Sequence, residues 1–282
     1  MSRHEWNKTA RIVEEAREIL SAEFPMTLRQ CFYRLVSREV IENSRRDYQM
    51  LSRILTKARN DGRIDFAWLV DRSRPLYSPC VFQDPQHYAE TIKKIYRKDY
   101  WSSQSNYVEV WTEKDSVIGS IEPVTDELGV TVRVGRGFLS TTRAHEIAEY
   151  FNSKDKNILV LYLGDFDPSG VAIEEDAASR IRAQGAYFQI ERLAIHRSDI
   201  SAFGLPPLRV KDSDTRSAEF KRQNGHECVE LDALPVGELR ERIRRAVDNL
   251  IDHELWDRAI AVEKVELASI LDSMKHWPGA AA

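Results

Sequence analysis

Four short apolar segments alternate with segments of helical character over residues 107–195, and this alternation constrains the fold most strongly. The apolar segments lie at 107–111, 130–134, 158–163 and 187–195, and the expected helices lie at 116–127, 141–152 and 169–183. A β-α-β-α-β-α-β order predicts a mostly parallel sheet, because parallel strands need crossover connections that helices usually supply. We therefore expect an α/β domain over residues 107–235, with helices on both faces of the sheet.

Residues 1–75 follow a different pattern, which is mainly helical. Apolar spacing predicts helices at 7–22, from an N-cap at Thr27 to about Val40, and at 46–60, followed by a β-prone segment at 64–70. Three helices and a terminal β element predict a winged helix-turn-helix, which is a DNA-binding fold. A stretch rich in Pro and Ser at 76–106 is expected to be a linker, and 236–282 a C-terminal helical extension with apolar stripes.

Composition narrows the class of protein. The chain has 282 residues, which suggests two domains, and its net charge of −4 excludes a uniformly basic nucleic-acid coat. Residues 1–100 carry a charge of +5 (19 basic, 14 acidic) and residues 101–282 carry −9 (22 basic, 31 acidic), which favours one surface for polyanions and another rich in carboxylates. Ordinary variation in solvated charge explains the same asymmetry.

No apolar run is long enough for a membrane span or a signal peptide, and three scattered cysteines argue against disulfides, so we expect a cytoplasmic protein.

The apolar segment 158–163 ends in the motif Asp165-x-Asp167, followed by Pro168 and Gly170. Residues i and i+2 of a strand point to the same side, and ligands of open α/β sheets bind at the carboxyl ends of the strands. Paired carboxylates are hard oxygen ligands that suit Mg²⁺ or Mn²⁺. The alternative is structural, with Asp167 capping the next helix and Asp165 solvated in a turn.

Glu113 also follows an apolar segment, 107–111. If that strand neighbours 158–163, Glu113 joins Asp165 and Asp167, and three carboxylates meet at one edge of the sheet. The alternative for Glu113 is an acidic residue in the first turn of a helix, where it complements the helix dipole.

These motifs together resemble a TOPRIM domain, in the version found in the A subunit of DNA topoisomerase VI and its meiotic relative Spo11. The resemblance covers about 105–250 and rests on the segments 110–115 (VWTEKD), 137–143 (GFLSTTR), 164–170 (GDFDPSG) and 230–234 (ELDAL). It implies that Glu113, Asp165 and Asp167 bind Mg²⁺ beside the scissile phosphate. The chain is shorter than typical A subunits and looks more like the stand-alone short forms called Mini-A, or like the nuclease subunit of plasmid-defence complexes.

The family also carries an attacking tyrosine in an Arg-x-x-aromatic-Tyr stretch of its winged helix, and the segment 27–34 (TLRQCFYR) is similar to it. The resemblance therefore implies Tyr33 as the nucleophile, with Arg29 beside it. Helical spacing independently places Tyr33 off the apolar arc that contains Phe32 and Leu35, so its hydroxyl is expected to point outward. The alternative is a tyrosine that only packs.

The basic excess of the N-terminal half falls on the third predicted helix and its surroundings. Residues 27–74 hold 11 basic and 6 acidic residues. We expect the third helix to contact DNA phosphates, although a solvated amphipathic helix has the same pattern. A helix that opens at Ser140 after two glycines predicts a further anion site, with a simple N-cap as the alternative. The predicted DNA-binding residues are Arg46, Arg53, Lys57, Arg59 and Arg143.

The resemblance implies Mg²⁺-dependent DNA cleavage by transesterification, with a 5′-phosphotyrosyl link and Glu113 shuttling the 3′-OH proton. It also implies a homodimer that makes double-strand cuts in nucleoid DNA. No G-x-x-x-x-G-K-[ST] motif is present, so ATP is not expected to bind this chain, and a separate ATPase or accessory subunit is a further expected partner. Two alternatives stay open: a TOPRIM nuclease that uses water, with Tyr33 passive, and a DNA-binding protein without catalysis.

Overall fold

A computed structural model describes residues 3–70, 79–135 and 137–275, and it describes the side chains from residue 8 onward. It is a mixed α/β structure whose main sheet has four parallel strands in the order β2-β1-β3-β4. These strands are β1 (Asn106–Thr112), β2 (Thr131–Val134), β3 (Asn157–Leu163) and β4 (Gln189–Ala194). The parallel sheet predicted from the alternation is therefore confirmed, with strand bounds that differ from the expected ones by at most two residues at every end.

The helices that connect and cover the sheet follow in chain order. They are α1 (Arg3–Glu23), α2 (Leu28–Ser37), α3 (Arg45–Asn60), α4 (Pro85–Ile95), α5 (Ile118–Glu127), α6 (Thr141–Asn152), α7 (Pro168–Ala183), α8 (Arg197–Ala202), α9 (Ser217–Asn224), α10 (Val236–Asp248) and α11 (His253–Met274). A small antiparallel pair joins β5 (Leu208–Arg209) to β6 (Glu227–Cys228). Within the described residues, no helix combines the length and the apolar character that crossing a membrane requires.

Alternating side chains of the central strands separate two apolar cores, one on each face of the sheet. Val110 of β1 and Leu161 of β3 face the core formed with α5 and α10. Trp111 and Tyr162 face the opposite core, which α6 and α7 complete. Helices on both faces of the sheet are therefore confirmed.

The N-terminal helices share the first of these cores. Thr27 caps α2 in a capping box with Gln30, and the Gln30 Oε1 atom also accepts a hydrogen bond from Ser120 Oγ of α5 at 2.6 Å. Arg240 of α10 donates to the carbonyl oxygens of Phe24 and Pro25, at 3.1 and 2.9 Å. The apolar core is continuous from α1 to α10, so the N-terminal helices are packed onto the sheet.

The β-prone segment at 64–70 is not a strand, and this prediction was wrong. Residues Phe66–Trp68 form a 3₁₀ turn, because the Asp65 side chain accepts a hydrogen bond from the Ala67 amide at 2.8 Å and so stabilises a turn. Only Leu69 forms a β-bridge there, to Met26. The flanking Arg72 and Arg74 lie outside the described residues.

The segment 76–106, predicted as a linker, contains α4 and a 3₁₀ turn at Tyr100–Ser103 in its described part. Asp84 caps α4, Pro85 occupies its first turn, and the helix packs against α11. Helix α2 also differs from its prediction. It ends at Ser37 rather than near Val40, because Glu39 adopts a positive φ of 55°. Both differences come from capping and turn geometry rather than from apolar spacing.

Candidate functional site

The carboxyl ends of β1 and β3 bring Glu113 and Asp165 together. Thr112 pairs with Leu163 in the parallel register, so the residues that follow these two strands emerge side by side. The Asp165 amide donates a hydrogen bond to Glu113 Oε1 at 3.0 Å. The juxtaposition expected from the strand order is therefore present in the structure.

Two further acids, Glu230 and Asp232, lie on the turn before α10 and face the same edge. Lys114 occupies the space between these groups: its Nζ atom lies 2.8 Å from Asp165 Oδ1, 3.0 Å from Asp232 Oδ2 and 3.6 Å from Glu230 Oε2. Burial alone would lower the pKa of Lys114, but the Asp232 and Asp165 carboxylates outweigh burial and raise it. We call Glu113, Asp165, Asp167, Glu230 and Asp232 the acidic cluster.

Asp167, a member of the acidic cluster, also caps the next helix, as its structural alternative predicted. Its Oδ1 atom accepts a hydrogen bond from the Gly170 amide at 2.7 Å, and so it caps α7. Burial raises the pKa of Asp167, and the Gly170 amide partly opposes that effect. The charge of Asp165 adds to the increase, which shows that the two carboxylates influence each other.

The donor set of the acidic cluster suits a divalent cation. Its five carboxylates face only two cations, Lys114 and Arg29, among the ion pairs of the described residues. Asp232 is fully buried, and its Oδ1 atom has no hydrogen-bond partner in the described part of the chain. Unpaired buried carboxylate oxygen is costly, and hard oxygen donors are what Mg²⁺ and Mn²⁺ prefer.

The carboxylates of Asp165, Glu230 and Asp232 surround the Lys114 Nζ atom rather than a position that a metal ion could occupy. Within residues 3–70, 79–135 and 137–275, no three His, Cys, Asp or Glu side chains are arranged to hold a metal ion. The assignment of Glu113, Asp165 and Asp167 as Mg²⁺ ligands therefore stays a prediction.

The titration of Glu113 gives a stability prediction. Burial and the neighbouring Asp165 charge raise its pKa from 4.5 to about 7. Between these two values the native state binds more protons than the unfolded chain, so the free energy of unfolding falls as pH rises. Relative to Glu113→Gln, the free energy of unfolding of metal-free wild type is expected to fall by roughly 3 kcal/mol between pH 4.5 and pH 7.5.

Urea unfolding of both proteins in EDTA measures this difference. The Glu113→Gln variant is the reference because it removes this titration while leaving Asp167 and Asp232, whose pKa values are also raised, in place. Parallel pH profiles for the two proteins would show that Glu113 ionises normally in the folded state.

Tyr33 is buried, and the expectation that its hydroxyl points outward was wrong. Its side chain is 4% exposed and packs edge-on against Phe32, with ring centroids 5.3 Å apart. Helical spacing describes only α2 itself, whereas Asn43 and Ser44, from the loop before α3, line a cavity together with Tyr33. Burial and the Glu230 charge raise the pKa of Tyr33 to about 12, although Arg29 opposes them.

Arg29 joins the helix that carries Tyr33 to the acidic cluster. Its Nη2 atom lies 2.5 Å from the Glu230 carboxylate, and its Nε atom lies 4.0 Å from Asp232 Oδ2. The same guanidinium lies 5.9 Å from the centroid of the Tyr33 ring. The predicted nucleophile, its arginine and the acidic cluster are therefore neighbours within one chain.

The predicted DNA-binding residues differ in whether other groups of the protein already bind their side chains. Arg46, Arg53 and Lys57 of α3 are exposed, whereas Arg59 donates to the Phe66 carbonyl oxygen at 3.1 Å and stacks over the Phe66 ring. Arg143 is exposed in the first turn of α6 and forms an ion pair with Glu146 at 2.8 Å.

Lys114, Glu230 and Asp232 were not predicted as site residues from the sequence. The Glu-x-Asp spacing at 230–232 could have predicted the two acids, because it repeats the Asp-x-Asp spacing of 165–167 at a second turn. The burial of Lys114 has no comparable local signal, since it depends on contacts between segments about 50 and 118 residues apart.

No protein-family model and no curated protein sequence matches this chain. Evidence on function therefore comes from the site geometry and from the sequence motifs.

Proposed function

We propose that this protein cleaves DNA by tyrosine transesterification that depends on Mg²⁺ or Mn²⁺. The observation that supports this most is the packing of α2, which carries Tyr33, against the acidic cluster through the Arg29–Glu230 ion pair. A nucleophile, a cation that orients phosphate and a set of carboxylates are the groups that phosphodiester cleavage requires.

Helices α1–α3 would form the winged helix of residues 1–75, and residues 107–235 would form a TOPRIM domain. The support for the TOPRIM domain is a parallel sheet with acidic residues at the carboxyl ends of two adjacent central strands. The support for a winged helix is limited to the three helices and to basic side chains on α3.

In the proposed reaction, the Tyr33 Oη atom gives its proton to a water molecule and forms a bond to phosphorus while the bond from phosphorus to the 3′ oxygen breaks. The products are a 5′-phosphotyrosyl link and a free 3′-OH. Arg29 balances the tyrosinate charge, and Glu113 would shuttle a proton from water to the leaving 3′ oxygen. A cation held by Glu113, Asp165 and Asp167 would stabilise the negative charge on the phosphate.

A second candidate is a hydrolytic nuclease in which water replaces Tyr33 as the nucleophile. The burial of Tyr33 favours this alternative, because a phenol that is 4% exposed with a pKa of about 12 is a poor nucleophile in this conformation. Transesterification therefore requires that DNA binding opens the cavity between α2 and the loop before α3, which contains Asn43 and Ser44.

The substrate would be double-stranded DNA and the active form a homodimer, so that two cuts make a double-strand break. A separate ATPase or accessory subunit would couple cleavage to strand passage or restrict it, and the protein would act on nucleoid DNA. The acidic cluster argues against a protein that only binds DNA, because carboxylates repel phosphates unless cations intervene.

Binding by α3 can be tested separately from cleavage. The double variant Arg53→Glu and Lys57→Glu is expected to weaken duplex binding by about tenfold or more, and to reduce the slope of log K against log salt by about 2. Fluorescence anisotropy at several salt concentrations measures both quantities. Lys264→Glu on α11 is the matched control, and equal losses in the two proteins would remove α3 from the interface.

The decisive experiment is a plasmid reaction with Mg²⁺ or Mn²⁺ that is stopped with SDS. We expect broken DNA with protein attached at the 5′ ends, released from the protein only by protease treatment. Broken DNA with free ends would support the hydrolytic nuclease instead. Duplex binding without cleavage under either metal would support the DNA-binding protein without catalysis.

A further inference from the structure

A cavity of about 310 Å³ lies on the face of the sheet covered by α6 and α7, and Thr112, which precedes Glu113 in the chain, is part of its wall. Its walls are mainly apolar and aromatic, formed by Trp111, Phe138, Leu139, Ile147, Ile173 and Tyr162. Pockets that bind small molecules usually have volumes from about 300 to 1,000 Å³, with apolar walls and a few polar groups. This cavity is at the lower end of that range and suits a single planar ring system with a short polar extension.

Tyr162 supplies an unused hydrogen-bonding group in this wall. Its side chain is 3% exposed, and its buried hydroxyl has no hydrogen-bond partner among the described residues. A buried hydroxyl without a partner costs free energy, which a ligand that bonds to it would recover. Gly164 also leaves room for the Tyr162 ring, because a Cβ atom at position 164 would clash with Tyr162 Cε1.

The mouth of the cavity is the N-terminal end of α6, which favours negative charge. Ser140 caps the helix by accepting from the Arg143 amide, and the amides of Thr141 and Thr142 make no hydrogen bond within the described structure. Free amides and the helix dipole form an anion site, and Arg143 lines the same cavity. The ion pair of Arg143 with Glu146 is exposed, so exchanging it for a phosphate costs little.

We infer that this cavity binds one nucleotide unit, with the base among the aromatic walls and the phosphate at the start of α6 beside Arg143. Aromatic side chains stack on any base, and the Tyr162 hydroxyl can bond to a base edge. Arg133, the other cation among the described residues of the wall, is held by Glu109 at 2.7 Å, which favours Arg143 as the phosphate partner. The nucleotide has two sources, a free mononucleotide or an unpaired nucleotide of a DNA strand at the cleavage site.

Fluorescence titration with 2-aminopurine distinguishes the sources without requiring cleavage. One probe is 2-aminopurine deoxyribonucleoside 5′-monophosphate, and the other is a duplex with a single unpaired 2-aminopurine, both in EDTA. Saturable binding of the monophosphate indicates a free nucleotide as ligand, and saturable change with the bulged duplex alone indicates a nucleotide of the DNA. Absence of binding by both probes up to about 1 mM would overturn the inference.

Three variants connect binding to the cavity. Ala177→Leu fills it and is expected to weaken probe binding at least tenfold; Tyr162→Phe removes only the hydroxyl and is expected to weaken it about tenfold. Arg143→Ala is expected to weaken the monophosphate but not the nucleoside without phosphate. Arg180→Ala, an exposed residue of α7, is the matched control.

Each variant is also titrated with a fully paired duplex of the same sequence. Ala177→Leu and Tyr162→Phe are expected to bind this duplex as wild type does, because the cavity is separate from α3. Undiminished probe binding in both folded variants, judged by circular dichroism and melting temperature, would place the nucleotide elsewhere. Cleavage by the plasmid reaction is scored independently, so a failed nucleotide site and a failed cleavage proposal are distinguishable.

Discussion

Tyr33→Phe is expected to abolish covalent attachment of the protein to DNA, with a loss of at least about 10³-fold in 5′-linked product. The substitution removes the only atom that forms the bond to phosphorus, while the ring keeps its edge-on packing against Phe32. Folding should therefore be preserved. The measurement is the fraction of plasmid that is retained with protein after SDS, for wild type and variant at equal concentration.

Tyr48 offers a matched control for this experiment. It lines the same cavity as Tyr33 and also packs edge-on against Phe32, with the two ring centroids 5.3 Å apart. Tyr48→Phe removes an equivalent hydroxyl and is expected to leave covalent attachment close to wild type. Loss in Tyr48→Phe with retention in Tyr33→Phe would transfer the nucleophile to Tyr48, and equal cleavage with free ends in both would establish hydrolysis.

Asp167→Asn has the second largest expected effect, because it separates the two roles of this residue. Asparagine caps helices as well as aspartate does, so α7 should keep its cap and the free energy of unfolding should change by less than about 0.5 kcal/mol. Cleavage with Mg²⁺ is expected to fall by about 10²-fold or more, since a charged cation ligand becomes neutral. Duplex binding in EDTA should stay unchanged.

Asp84→Asn is the control for the capping role, because Asp84 caps α4 in the same way and lies outside the acidic cluster. Both variants should melt near wild type, and only Asp167→Asn should lose cleavage. Unchanged cleavage by Asp167→Asn would remove this residue from the cation site and leave it as a helix cap.

The sheet was predictable because its evidence is local. Apolar runs such as 158–163 sit between turn signals, and the order of strands and helices predicts parallel pairing, so Glu113 and Asp165 were placed together correctly. Capping signals were as informative where they were used: Thr27 predicted the start of α2, and the same logic at Asp84-Pro85 would have predicted α4.

The errors arose where distant segments decide the outcome. Phe66 and Trp68 have high β propensity, yet Asp65 stabilises a turn between them, and Trp68 stacks on Phe24 from another segment. Tyr33 is buried and shares a cavity with the loop before α3, which no helical wheel of α2 includes. Lys114 fills the acidic cluster because Asp165 and Asp232 fold around it, and that depends on the whole chain.

The packing of the N-terminal helices onto the sheet has a thermodynamic consequence. Since one apolar core runs from α1 to α10 and Arg240 holds the turn before α2, neither half retains its buried surface when the other unfolds. The chain should therefore melt in one cooperative transition, and fragments divided near residue 100 should not be stable alone. A ligand that binds at the sheet edge would consequently protect amides of α2 against hydrogen exchange.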